Sequence, residues 1–167
     1  MLTFLIRPWQ PEDAESLSKH ANDPDIARNM TDGFPHPYTP EHARRFIEYA
    51  LKDDPIHIFA IEINGEAAGG IGIHPQSDIY RKNAELGYWL GKAYWGQGIT
   101  TEAVKQVCTL AFSLYDIRRI YARPYGYNTA SMKVLEKAGF VLEARLKDTI
   151  FKNGVYTDEL IYGLRRT

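Results

Sequence analysis

The chain has 167 residues, with 20 Lys+Arg against 21 Asp+Glu for a formal net charge of -1. It is 44% hydrophobic and 25% charged, values that exclude a disordered tail, a collagen and a coiled coil. The balanced charge lacks the basic excess of a nucleic-acid face, and no stretch approaches the roughly 20 apolar residues of a membrane helix. Domains usually hold about 100–200 residues, so residues 1–167 are expected to form a single domain. Cys108 is the lone cysteine and the 5 His form no Cys/His cluster, so neither a disulfide nor a metal site is expected. The segment Met1–Pro8 has neither a basic lead nor a long apolar core, so no export signal is expected and the cytoplasm is the expected compartment.

Residues 2–9 read as a strand, stopped by Pro8 and Pro11. A helix is expected over 12–21 and a further turn over Asp25–Met30. Thr31–Pro40 carries Gly33, Pro35, Pro37 and Pro40, which breaks helix and sheet alike and makes a loop. Its aromatics are unusual for a plain connector. A helix resumes over 41–53, with Phe46, Ile47, Ala50 and Leu51 expected on one buried face. Ile56–Ile63 and Ala67–His74 are strands joined at Asn64-Gly65, a strong hairpin signal, and His57 is expected within a sheet face.

Ala84–Leu90 is a further strand and a long helix follows over 99–115, with Val104, Val107, Cys108, Ala111 and Tyr115 on one face. That places Cys108 in the core and argues against a covalent cysteine mechanism. Ile117–Pro124 reads as a strand and Asn128–Ala138 as a helix closed by Gly139-Phe140, with Gly in the left-handed position. Val141–Phe151 and Val155–Leu164 form a closing hairpin around Asn153-Gly154. This order is α+β with a mixed sheet.

Chemistry concentrates where strand 84–90 turns into helix 99–115 through Gly91, Gly96 and Gly98. Glycines let backbone approach a ligand closely. A helix start offers unpaired N–H groups and about half a positive charge, a site for phosphate or pyrophosphate. The run is not a nucleotide P-loop, which needs Gly-Lys-Ser/Thr. A tight turn with no ligand is the plainer alternative.

Ala84–Leu90 with Tyr94–Ala103 resembles the acetyl-CoA-binding motif of the GNAT N-acetyltransferase superfamily. Asn128–Ser131 and Leu135–Phe140 resemble its second motif. Phe34–Thr39 and Asn153–Glu159 are similar to the Rim-type branch, which includes acetyltransferases of ribosomal-protein N-termini. The resemblance runs from about Ile6 to Leu164. It implies a single-domain fold with a mostly antiparallel sheet of about seven strands, a splayed strand pair, and helices on both faces. It also implies acetyl-CoA as co-substrate, no metal, and a protein N-terminus or small-molecule amine as acceptor. Direct nucleic-acid and membrane partners are not expected, and the chain is expected to be a monomer or homodimer.

Carried over by residue, the signature Arg/Gln-x-x-Gly-x-Gly/Ala falls on Trp95–Thr100, with Trp95 and Thr100 departing from it. The resemblance assigns the pyrophosphate to the N–H groups of Gln97, Gly98, Thr100 and Thr101. Backbone at Trp89 and Leu90 would pair with pantetheine like an added strand, and Asn128 would reach the same arm. Ser131 is the resemblance's candidate acid for the CoA thiolate; relatives' tyrosine four residues on is Leu135 here, which leaves Ser131 or bulk water for that role.

Glu85 is the candidate base, flanked by apolar Leu86, Tyr88 and Leu90. His74 would share its role through water, and Phe34, His36, Tyr38 and Tyr156 would frame the acceptor. Plainer readings stand beside these: Asn128 as a helix cap, Ser131 as a first-turn serine, Glu85 on a polar strand face, and the loop aromatics as cover for a core. The missing tyrosine also leaves open a non-catalytic acyl-CoA-binding sensor or regulatory module.

The acceptor must be neutral to attack. An α-amine of pKa about 8 is roughly one-tenth neutral at pH 7, costing about 1.4 kcal/mol, against about 4.5 kcal/mol for a lysine of pKa about 10.4. A water-relayed carboxylate suits the first.

Overall fold

The computed structural model describes residues 2–167. Asn64-Gly65 takes φ of 53° and 81°, and Asn153-Gly154 takes 53° and 78°. Two successive left-handed residues make the type I′ turn whose twist matches paired strands. The first turn joins β2 (Ile58–Ile63) to β3 (Glu66–Pro75), and the second joins β6 (Val141–Lys152) to β7 (Val155–Arg165). With β1 (Phe4–Pro8), β4 (Asn83–Leu90) and β5 (Arg119–Ala122) they form a seven-stranded sheet of order β1-β2-β3-β4-β5-β7-β6. β4 and β5 run parallel; the pairs β1–β2, β2–β3, β5–β7 and β6–β7 are antiparallel. The fold is α+β, as expected.

Gln76 donates its N–H to the Asn83 carbonyl at 2.9 Å, and Gly91 donates to the Ala68 carbonyl at 2.7 Å. Both bonds belong to one antiparallel register of β3 against β4. Counting two residues in from Gln76 and Asn83 sets His74 opposite Glu85, and opposed residues project on the same face.

The chain forms two compact units. The first runs to Gly72 and includes Tyr88–Ala103. It holds α1 (Ala14–Ala21), the short α2 (Pro24–Ala27) and α3 (Pro40–Leu51). Pro40 opens α3 because its fixed φ suits the first helical position. Thr39 accepts the His42 N–H at 3.2 Å, and the His42 ring accepts the Thr39 N–H at 3.1 Å. This reciprocal cap is worth about 1 kcal/mol. Ala43, Ile47 and Ala50 are buried, and Phe46 meets Trp9 edge to face at 5.4 Å. Leu51, expected on that face, is exposed instead. It lies at the end of the helix, where the buried stripe has rotated away. His57 lies outside β2, also against expectation, with its ring 2.7 Å from the Asp53 carboxylate.

Small residues in β3 let β4 approach closely. A Cβ on Gly69 would lie 2.7 Å from the Trp89 carbonyl oxygen. Gly69→Ala is therefore expected to destabilise the protein by about 1–3 kcal/mol through overpacking, seen as a lower urea midpoint. Gly87→Ala, whose Cβ would meet nothing within 4 Å, should leave the midpoint nearly unchanged.

The second unit comprises Ile73–Gly87 and Val104–Thr167. α4 (Ile99–Leu114) buries Val104, Val107, Cys108 and Ala111 here. Burial pushes the Cys108 thiol up to about 12. α5 (Thr129–Lys137) ends as expected: Gly139 has φ 95°, Phe140 N–H bonds the Leu135 carbonyl at 2.9 Å, and Gly139 N–H bonds that of Glu136 at 3.1 Å. These two bonds are the Schellman closure. β5 is shorter than expected at both ends; past it the Leu160 N–H still bonds the Pro124 carbonyl at 3.0 Å, but Pro124 has no N–H to return the bond. Among the described residues no helix is long and apolar enough to cross a membrane, and no group of three or more His, Cys, Asp or Glu is placed to hold a metal.

Candidate active site

In the first unit, β4 leads into a 3-10 turn at Lys92–Tyr94 that residue patterning does not predict. The Trp95 indole N–H donates to the Leu90 carbonyl at 2.7 Å and pins this turn to the strand end. Gly96 and Gly98 follow with φ of 74° and 78°, which side-chain-bearing residues rarely adopt. The first α4 bond runs from Glu102 N–H to the Gly98 carbonyl at 3.2 Å. The N–H groups of Gly98, Ile99, Thr100 and Thr101 therefore precede the helical ladder, and the dipole adds to their positive end. Gln97 and Gly98 are exposed, while Thr100 and Thr101 are half-buried. Thr100, which departs from the signature, still contributes its N–H here.

Packing beneath this turn is close. A Cβ on Gly91 would lie 3.0 Å from both the Ala68 carbonyl oxygen and the His20 ring. His20 bonds Glu66 at 2.9 Å. His20 first, then Lys19, hold the Glu66 carboxyl below its ordinary range.

The same unit brings Phe34, Tyr38 and Trp89 together. The Phe34 ring lies 5.1 Å from Tyr38 and 6.1 Å from Trp89. Tyr38 is 6% exposed, donates its N–H to Asn22 at 3.0 Å, and has its hydroxyl pushed up to about 12 by burial. Trp89 is buried, so its ring belongs to the core. His36 is exposed on the loop.

In the second unit, the β4–β5 ladder has three rungs and stops at Glu85 opposite Tyr121, although β4 continues past it. The parallel pair is thus open beyond Glu85. The Tyr121 hydroxyl donates to Glu85 at 3.5 Å, and Arg123 Nε lies 3.9 Å from the same carboxylate. Arg123 Nε is 2.6 Å from Glu159, whose side chain is only 9% exposed. Burial first, then the Glu85 charge, pushes the Tyr121 hydroxyl up. Burial opposes the Arg123 charge, but Glu85 and Glu159 outweigh it and the guanidinium is raised.

The sequence reading missed Tyr121, Arg123 and Glu159. Alternation along Arg119, Tyr121 and Arg123 was the available signal, since a strand with such residues on one face lines something polar. The buried partner, 36 residues further on, was not legible.

Asn128 caps α5 by accepting the Ser131 N–H at 3.2 Å, which engages its oxygen and leaves its amide nitrogen for another partner. Ser131 is half-buried in the first turn. Leu135 is fully buried, so its position serves the core. Tyr156 is exposed on the β6–β7 hairpin with its ring 5.1 Å from Phe151.

The model of the acetyltransferase (GNAT) domain matches residues 3–141. The chain is 30% identical over 165 residues to the SPbeta prophage-derived uncharacterized N-acetyltransferase YokL of Bacillus subtilis (strain 168), covering 98% of this chain and 90% of the relative. It is 35% identical over 81 residues to the ribosomal-protein-serine acetyltransferase of Escherichia coli (strain K12), covering 48% of this chain and 45% of that one. Among solved structures, the Microcin C7 self immunity acetyltransferase MccE, in complex with acetyl-CoA and AMP, superposes with a TM-score of 0.84 at 25% identity over 98% of this chain and 92% of that one.

Proposed function

Because the chain belongs to the GNAT acetyltransferase family, we propose that it moves acetyl from acetyl-CoA directly to a primary amine, an α-amine at a protein N-terminus or on a small molecule. The observation that carries this reading is the run of N–H groups at Gly98–Thr101 left ahead of the first α4 bond. Four aligned donors at a helix start suit a diphosphate. Gly98 has a φ of 78° that favours glycine, and glycine has no Cβ to obstruct a ligand at its N–H.

Gln97, Gly98, Thr100 and Thr101 take the pyrophosphate. The backbone of β4 at Trp89 and Leu90 takes the pantetheine amides as an added strand. Asn128 supplies its free amide nitrogen to the same arm. Backbone N–H groups at Leu86–Tyr88 polarise the thioester carbonyl.

The neutral amine attacks the carbonyl carbon, and the C–S bond breaks as the amide forms. Glu85 receives the amine's proton through a water, with His74 opposite it on β3. Ser131 returns a proton to the thiolate. Within the first unit, Phe34 and His36 meet the acceptor, with buried Tyr38 packed behind Phe34. The modest deprotonation cost of about 1.4 kcal/mol at pH 7 supports an α-amine acceptor, and the similarity to a ribosomal-protein-serine acetyltransferase accords with an acceptor on a protein.

The test is CoA thiol release by the purified protein with a panel of N-terminal peptides, polyamines, amino acids and aminoglycosides. Release with α-amines above the others supports the reading. Binding of acetyl-CoA without release for any acceptor overturns it in favour of the non-catalytic module.

A further inference from the structure

We propose that Arg123, anchored on the buried Glu159, is a positioning residue that sets how readily Glu85 takes up a proton. The inference rests on Glu85 being the base. Its geometry comes from one strand face. Tyr121 and Arg123 are two residues apart along the β5 direction, so they project to the same side. Glu85 is opposite Tyr121 on the last rung of the parallel pair. Arg123 Nε is 2.6 Å from Glu159 but 3.9 Å from Glu85. The guanidinium is thus in full contact with the buried carboxylate and at the limit of contact with the half-exposed one.

That asymmetry has a chemical consequence. A full ion pair would hold Glu85 as an anion and make it a poor acceptor for an amine's proton. Glu159 competes for the same guanidinium. It keeps Arg123 close enough to orient the Glu85 carboxylate and too far to quench it. The other groups facing Glu85 do not compete for this position. Tyr121 is neutral and donates to Glu85 at 3.5 Å. Arg119 lies over the Tyr121 ring at 4.7 Å and is engaged by Glu143 and Asn83. His74 stands opposite Glu85 on β3 and is unchanged in every variant below.

The experiment is the pH profile of kcat/KM with an α-amine acceptor, for E159Q, R123Q and R123K, with E85Q as the reference. In E159Q the freed guanidinium closes on Glu85, so the acid limb moves to lower pH and the plateau falls about tenfold. In R123Q the limb moves to higher pH. R123K keeps the charge and stays nearer the wild type. The upper rise, set by the acceptor amine itself, stays fixed in all of them, and acetyl-CoA affinity by calorimetry is unchanged.

R123Q leaves Glu159 buried without a partner, so R123Q/E159Q, which removes both charges, supplies the same upward shift should the single variant fail to fold. If E85Q is slow while neither limb moves, Arg123 has no such role. If E85Q keeps the wild-type rate, Glu85 is not the base and the relay falls with it.

Discussion

Gly98→Val is expected to abolish acetyl-CoA binding in titration calorimetry, with affinity reduced by at least two orders of magnitude. Two effects act together. The residue's φ of 78° lies where a β-branched side chain is strained by roughly 1–2 kcal/mol. Its side chain would also add bulk at the first of the N–H groups that precede the α4 ladder, where backbone has to approach a ligand closely. Gly96→Ala separates the two effects. Gly96 has a similar φ of 74°, and a Cβ there would meet nothing within 4 Å. That variant carries comparable backbone strain without adding bulk at those donors, so its affinity should fall far less. Wild-type affinity in Gly98→Val would remove the turn as the phosphate site.

Glu85→Gln should lower kcat/KM with an α-amine about 10²-fold at pH 7, within the usual range for losing a general base. Acetyl-CoA affinity should hold, because the turn's donors are backbone N–H groups that this substitution leaves unchanged. The deficit should narrow toward pH 9, where an amine of pKa about 8 is already mostly neutral. A lysine-type acceptor would show no such narrowing over that interval. A variant as fast as the wild type at every pH would exclude Glu85 from the proton path.

Local signals made most of the fold legible. Asn64-Gly65, Asn153-Gly154 and Gly139-Phe140 each impose a backbone conformation that few other residue pairs adopt, and each turn forms where expected. Boundaries were less legible where a tertiary contact decides them. The Lys92–Tyr94 turn depends on the Trp95 indole reaching the Leu90 carbonyl, and helical or strand periodicity carries no trace of that bond. Leu51 is four residues beyond the buried Ile47, yet at the end of α3 it is exposed.

The candidate site divides in the same way. Gly96, Gly98 and the start of α4 follow from residue type and order along the chain. The surroundings of Glu85 do not, because Tyr121, Arg123 and Glu159 are assembled by strand pairing across tens of residues. A buried acidic residue such as Glu159 is indistinguishable by composition from the exposed Glu136 or Glu143.

The interior position of Cys108, with its thiol pushed up to about 12, bears on how turnover can be measured. Disulfide-exchange dyes react with thiolates, and at pH 8 almost none of this sulfur is ionised or accessible. A folded preparation therefore adds no background, and colour reports the released coenzyme alone. In denaturant the same chain should titrate one sulfhydryl per molecule, so a single reagent audits both product formation and the integrity of each variant.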